Sequence, residues 1–180
     1  MLIDKYLHSY HFSEQHSIIV NSTPIKVLSA AVHYDTQSDY LFKIAIILRE
    51  LPNRILKKDN TQTIKSFSMK QFTCLEKVNE QEIVFGLLGR FWEINYGLSP
   101  CQHTQDFISF NQPKSAKLVL NFHVTPLKHG KTLLSTETRV FCIDKYSLRS
   151  FSYYWYLIRP VSGVIRHRML KAIAKNCQNL

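Results

Sequence analysis

Two charged residues near the end of the chain have the spacing of a functional pair. Glu137 and Arg139 are separated by one residue within a run typical of a β-strand, Thr132 to Cys142, so their side chains project from the same face of a sheet. On an apolar inner face, such a pair would orient a bound molecule, and Glu137 would be available as a general acid or base.

The face that carries this pair depends on the preceding hairpin. If its tip is the two residues His129-Gly130, Phe122 pairs with Glu137, and both charges join the apolar residues of the inner face. An odd-numbered loop would move Glu137 and Arg139 to the convex, exposed face instead. We favour the two-residue tip and the inner placement.

Other candidate ligand-binding residues are an arginine and three aromatic side chains. Arg159 is predicted on a C-terminal helix that crosses the sheet, from which it would bridge to Glu137; the alternative is that it caps half of this helix and reaches solvent. Trp92 is a candidate for a cavity mouth, while Phe122 and Trp155 belong to the predicted sheet and helix faces that enclose the cavity. On the helix, the sheet-facing stripe is predicted as Phe151, Trp155 (or Tyr154), Ile158, Ser162, Ile165 and Met169.

Most common catalytic and metal-binding motifs do not occur. The 8 histidines do not form a metal-ligand spacing, and the 4 cysteines contain no CxxC pair. No HExxH motif, glycine-rich phosphate loop or Ser-His-Asp order is present. We therefore predict no metal, no cofactor and no assigned catalytic residue.

The elements that must position these residues indicate one α+β domain over residues 1–180. A strand at 14–20 precedes a helix at 24–32 and a second helix at 39–51. Strands are predicted at 67–76, 81–92, 105–110, 117–125 and 132–142, giving a curved antiparallel sheet of about six or seven strands. A long helix follows Asp144, and Pro160 predicts that it is bent or broken there.

Three segments carry a resemblance to a known superfamily: EIVFGLLGRFWEI at 82–94, LSTETRVFC at 134–142 and FSYYWYLIRPVSGVIRHRML at 151–170. The stretches STPIKVLSAAV and LRELP also fit. On these segments the chain resembles the START-like, or SRPBCC, superfamily, and more closely its small uncharacterised bacterial members. The resemblance implies a helix-grip fold, in which the sheet wraps the C-terminal helix around a cavity. It assigns no catalytic residue, because the superfamily has many functions.

Composition leaves three functional hypotheses. The apolar content of 45% is that of a globular chain. The formal net charge of +10 is compatible with an anionic partner, but we favour a basic excess spread over a solvated surface. The first hypothesis is a non-enzymatic binder of a small hydrophobic or amphipathic molecule, and the second a cyclase or hydratase that uses Glu137. The third is a basic module that contacts an anionic membrane or nucleic acid through Arg166, Arg168, Lys171 and Lys175, although we expect no specific nucleic acid. The sequence predicts a soluble, cytoplasmic protein.

Overall fold

The computed structural model describes residues 1–34, 71–93 and 97–178. In chain order its elements are α1 (Ile3–Tyr6), β1 (Phe12–Val20), α2 (Pro24–Val32), β2 (Thr73–Val78), β3 (Glu82–Gly89), α3 (Thr104–Ser109), β4 (Ala116–Pro126), β5 (Thr132–Cys142) and α4 (Lys145–Gln178). The α+β class, the long terminal helix and most of the predicted strands are confirmed. The helix predicted at 39–51 lies outside the described residues.

The five strands in the described residues form one antiparallel sheet in the order β1-β5-β4-β3-β2. The sequence predicts six or seven strands, and the prediction of a strand at 105–110 is wrong, because this segment is helical. This segment forms α3 because the Asp106 carboxylate accepts hydrogen bonds from the backbone N–H groups of Gln102 and His103, both at 2.9 Å, which stabilises the helix start. Phe107 is fully buried on that helix.

Helices cover both faces of the sheet. On the inner face, α4 packs against β1 and β5, and α2 packs against β4 and α4. On the outer face, α1 lies on β4, and α3 lies on β2 and β3. Gly86 permits the close approach of α3, since a Cβ at this position would lie 2.7 Å from Cδ2 of Phe107.

The long helix begins as the sequence predicts. The Asp144 carboxylate accepts the Ser147 backbone N–H at 2.7 Å, and the Ser147 hydroxyl accepts the Asp144 N–H at 3.1 Å, a reciprocal capping arrangement. The helix continues through Pro160 without interruption, so it is not broken there, and the bend at Pro160 stays a prediction. No helix in the described ranges is both long and apolar enough to cross a membrane.

Candidate functional site

The hairpin between β4 and β5 has a different register from the predicted one. Five residues, 127–131, separate Pro126 from its partner Thr132, and Asn121 pairs with Glu137. His129 and Gly130 both adopt positive φ, 60° and 68°, within this longer loop. The predicted two-residue tip is therefore wrong, since the loop has five residues. An odd loop length places the side chains of β5 on the opposite faces from those predicted.

Glu137 and Arg139 consequently project from the outer face, away from α4. They are nevertheless buried, at 8% and 7% exposure, because the N-terminal segment covers them. The Arg139 guanidinium donates from Nε to Oε1 of Glu137 and from Nη1 to Oδ1 of Asp4, each at 2.7 Å, and Nη1 also donates to the Leu7 carbonyl at 3.1 Å. This pair is fully occupied in attaching the N-terminal segment to the sheet.

A neighbouring acid performs the same task for α1. The buried Glu82 carboxylate accepts the backbone N–H of Leu2 at 2.8 Å and that of Ile3 at 3.2 Å. Asn121 donates to the same carboxylate at 2.7 Å and accepts the Glu137 N–H at 2.8 Å. The outer face therefore holds a satisfied polar network that fixes the N-terminus and has no open position for a ligand among these contacts.

The predicted bridge from Glu137 to Arg159 is also wrong. Arg159 is exposed on α4, and Glu137 lies on the opposite face of the sheet. Trp92, Phe122 and Trp155, by contrast, lie on the inner side, as predicted. Phe122 is 2% exposed in a core with α2 and α4.

An aromatic cluster fills one end of the inner face. It consists of Phe12, Phe91, Trp92, Phe151, Tyr154 and Trp155. Phe151 is its centre, with ring centroids 5.0 Å from Phe12, 5.7 Å from Trp92 and 5.9 Å from Trp155. The cluster confirms that the predicted helix stripe faces the sheet at this end.

A polar cluster, Glu14, His16, Ser162 and Arg166, lies farther along the same interface, between β1 and α4. The Ser162 hydroxyl donates to Oε2 of Glu14 at 2.9 Å, and Nε2 of His16 lies 2.8 Å from Oε1. Nε of Arg166 is 3.7 Å from Oε2. Burial lowers the pKa of the Arg166 guanidinium while Glu14 opposes that change, and the guanidinium remains charged at neutral pH.

The Thr138 side chain adjoins the polar cluster. Thr138 is the cross-strand partner of Glu14, so both side chains lie on the inner face. Its hydroxyl is buried and has no hydrogen-bond partner among the residues that the structure describes, and the residue is 3% exposed. A buried hydroxyl without a partner is costly, and this one lies on the strand position opposite Glu14, whose carboxylate contacts Ser162 and Arg166.

The polar cluster does not have the order of a serine-nucleophile triad. A serine nucleophile requires an imidazole between the hydroxyl and the acid. Here both Ser162 and His16 contact the Glu14 carboxylate, so the acid lies between the other two groups. In the part of the chain that the structure describes, no group of three His, Cys, Asp or Glu residues is arranged to hold a metal ion.

Sequence reasoning missed this cluster, although β1 contained a signal for it. Phe12, Ile18 and Val20 alternate in phase with Glu14 and His16, so the apolar members already placed the two polar residues on the inner face. Thr138 gave no such signal, because its face depends on the hairpin register.

A separate open pocket lies on the surface near α3. It has a volume of about 590 Å³ and is bounded by residues such as Pro100, Asp106 and Phe110. Asp106 is already engaged in capping α3. This pocket is remote from the inner face where the sequence predicted a ligand.

No protein-family model matches the chain, and no curated protein matches it. The resemblance to the START-like superfamily therefore remains a prediction that rests on the sequence segments alone.

Proposed function

We propose that this chain binds a small amphipathic molecule on the inner face of the sheet, beneath α4, in the manner of a helix-grip protein of the START-like superfamily. One observation carries the proposal: the Thr138 hydroxyl is buried with no hydrogen-bond partner among the described residues, on the inner face opposite Glu14, whose carboxylate contacts Ser162 and Arg166. A ligand hydroxyl or carbonyl would supply the missing hydrogen bond, as the few polar groups of an apolar site usually do.

The energetic cost of the polar cluster supports a functional reason for it. Burying Glu14 and Arg166 requires their desolvation, and apolar residues of similar volume are often at least as stable in such a position. The 3.7 Å separation between Arg166 Nε and Glu14 Oε2 is longer than a charge-assisted hydrogen bond. Nε of Arg166 donates to Oγ of Ser162 at 3.4 Å, so the terminal Nη1 and Nη2 groups of the guanidinium are the donors that would bind a ligand oxygen.

The aromatic cluster supplies the apolar part of the proposed site. Trp92 and Trp155 are only half-buried, although both adjoin the fully buried Phe151. Aromatic rings of this kind contact hydrocarbon or ring systems over large areas. The proposed ligand thus has an apolar body toward Trp92 and Trp155 and a polar group toward Thr138. Phe122 remains a candidate contact on β4.

The enzymatic alternative loses its proposed acid. Glu137 is bound to Arg139 on the outer face, where it cannot approach a molecule beneath α4. A cytoplasmic location remains part of the proposal.

Native mass spectrometry of the purified protein tests the proposal, followed by extraction and identification of any retained small molecule. We expect the wild-type chain to retain an amphipathic molecule, and Thr138→Val and Glu14→Gln to lose most of it. Thr136→Val is the matched control, because its hydroxyl is already bonded to the Asn121 carbonyl at 2.8 Å. Equal retention by all four proteins, or no retained molecule and no uptake of added amphiphiles, would contradict the proposal.

A further inference from the structure

The solvent-facing side of α4 carries a line of large apolar and aromatic side chains. Tyr146, Tyr153, Leu157 and Val164 recur at the helical period, and Tyr156 lies beside them. Their exposures are 60%, 69%, 65% and 54%, with 70% for Tyr156. The opposite side of the helix packs on the sheet, so this line is distinct from the proposed ligand site.

The same line becomes basic toward the end of the helix. Val164 is followed at spacings of four, three and four residues by Arg168, Lys171 and Lys175, which are all exposed. Arg166 does not belong to this group, because its guanidinium lies against Glu14 on the inner side. Of the four basic residues that the sequence predicts as contacts for an anionic surface, three therefore lie on this side of the helix.

We propose that this outer line, from Tyr146 to Lys175, docks α4 on an anionic lipid surface. Tyrosine rings favour the headgroup region of a bilayer, and exposed aliphatic side chains such as Leu157 and Val164 gain from shallow insertion. Lysine and arginine on the same side pair with lipid phosphates and carboxylates. The net charge of +10 attracts the whole chain to such a surface.

An anionic lipid surface fits this line better than a nucleic acid does. Phosphodiester binding uses the basic residues but gives no apolar phase for Leu157 and Val164. A lipid surface accommodates both halves of the line in one orientation, with α4 lying parallel to the membrane plane. Basic and apolar residues then contribute to the same contact.

Vesicle flotation tests the proposal with the full chain. We expect binding to vesicles of phosphatidylcholine mixed with phosphatidylserine, little binding to phosphatidylcholine alone, and release by salt. In Lys171→Gln/Lys175→Gln, binding should fall about fivefold for each lysine removed. Tyr153→Ser/Leu157→Ser should also weaken binding, without removing its salt dependence.

The hairpin supplies a charge-matched control. Lys128 and Lys131 are exposed but lie in the loop between β4 and β5, so Lys128→Gln/Lys131→Gln should bind vesicles like the wild type. Equal loss in this control would show that only overall charge matters and would overturn the proposal. So would equal binding to neutral vesicles, or binding to RNA in the absence of vesicle binding. Thr138→Val should retain vesicle binding, which separates failure here from failure of the inner site.

Discussion

Replacing Thr138 with valine should make the protein more stable. The substitution exchanges the unpartnered hydroxyl for a methyl group of similar size and keeps the β-branched shape that a strand favours. Leaving a buried polar group unsatisfied costs about 1–3 kcal/mol. Taking the lower end of that range, we expect the free energy of unfolding to rise by about 1 kcal/mol.

Thr136 provides a comparison within the same strand and on the same face. Its hydroxyl donates to the Asn121 carbonyl at 2.8 Å, and the residue is fully buried. Loss of one such hydrogen bond costs about 1 kcal/mol, so Thr136→Val should be less stable than the wild type. The two variants should therefore differ by about 2 kcal/mol, or roughly 4–8 °C in Tm for a chain of this size.

Urea denaturation followed by circular dichroism and tryptophan fluorescence measures both variants under identical conditions. With protein freed of any retained molecule, the reasoning is refuted if Thr138→Val is destabilised as much as Thr136→Val, because the Thr138 hydroxyl would then have a partner within the chain. A more stable variant that also loses the retained molecule would mean that the wild-type chain keeps this hydroxyl at a cost to stability. Such a trade is expected of binding sites.

Three further predictions concern the outer face. Gly86→Ala should lower the free energy of unfolding by about 1–3 kcal/mol, measured by urea denaturation, because the new Cβ would lie 2.7 Å from the Phe107 ring. Arg139→Met should cost about 3–5 kcal/mol by leaving Glu137 buried without its partner, and Glu137→Leu/Arg139→Met should recover most of that loss in the same assay. The N-terminal ammonium and the Arg139 guanidinium lower the pKa of Asp4 from 3.8 to about 2. These contacts therefore stabilise the fold fully above pH 3.8, and the stabilisation is lost as the pH falls through 2. Asp4→Asn should consequently make the acid unfolding curve flatter between these two pH values.

Each of these has a result that would contradict it. Gly130→Ala is the comparison for Gly86, because φ is 68° there but a Cβ would meet no atom of the described residues within 4 Å. Only a backbone penalty of about 1–2 kcal/mol is expected. An unchanged free energy of unfolding in Gly86→Ala would exclude steric contact with Phe107. If Glu137→Leu/Arg139→Met is as unstable as Arg139→Met, the unpaired Glu137 carboxylate is excluded as the cause of the loss. An unchanged acid transition in Asp4→Asn would exclude Asp4 as the titrating group.

Local chemistry was sufficient to predict much of the fold. The β-branched runs of β4 and β5, the Asp144 cap of α4 and the apolar stripe through Phe151 depend on residues that are neighbours along the chain. Glycine inside a strand commonly marks a bend, a bulge or the close approach of another group, and at Gly86 the structure shows the close approach of Phe107. The α3 segment was misread because six residues are too few to show a period, and its helix depends on the carboxylate of Asp106.

The sequence by itself determined that Glu137 and Arg139 share one face of a strand, but only the tertiary structure decided which face. That choice depended on the number of residues in the hairpin loop, and five rather than two residues turned the pair away from α4. Their burial then came from Asp4 and Leu7, more than 130 positions earlier in the chain, a contact that no local pattern encodes. The same register placed Thr138 opposite Glu14, where the proposed ligand site is formed.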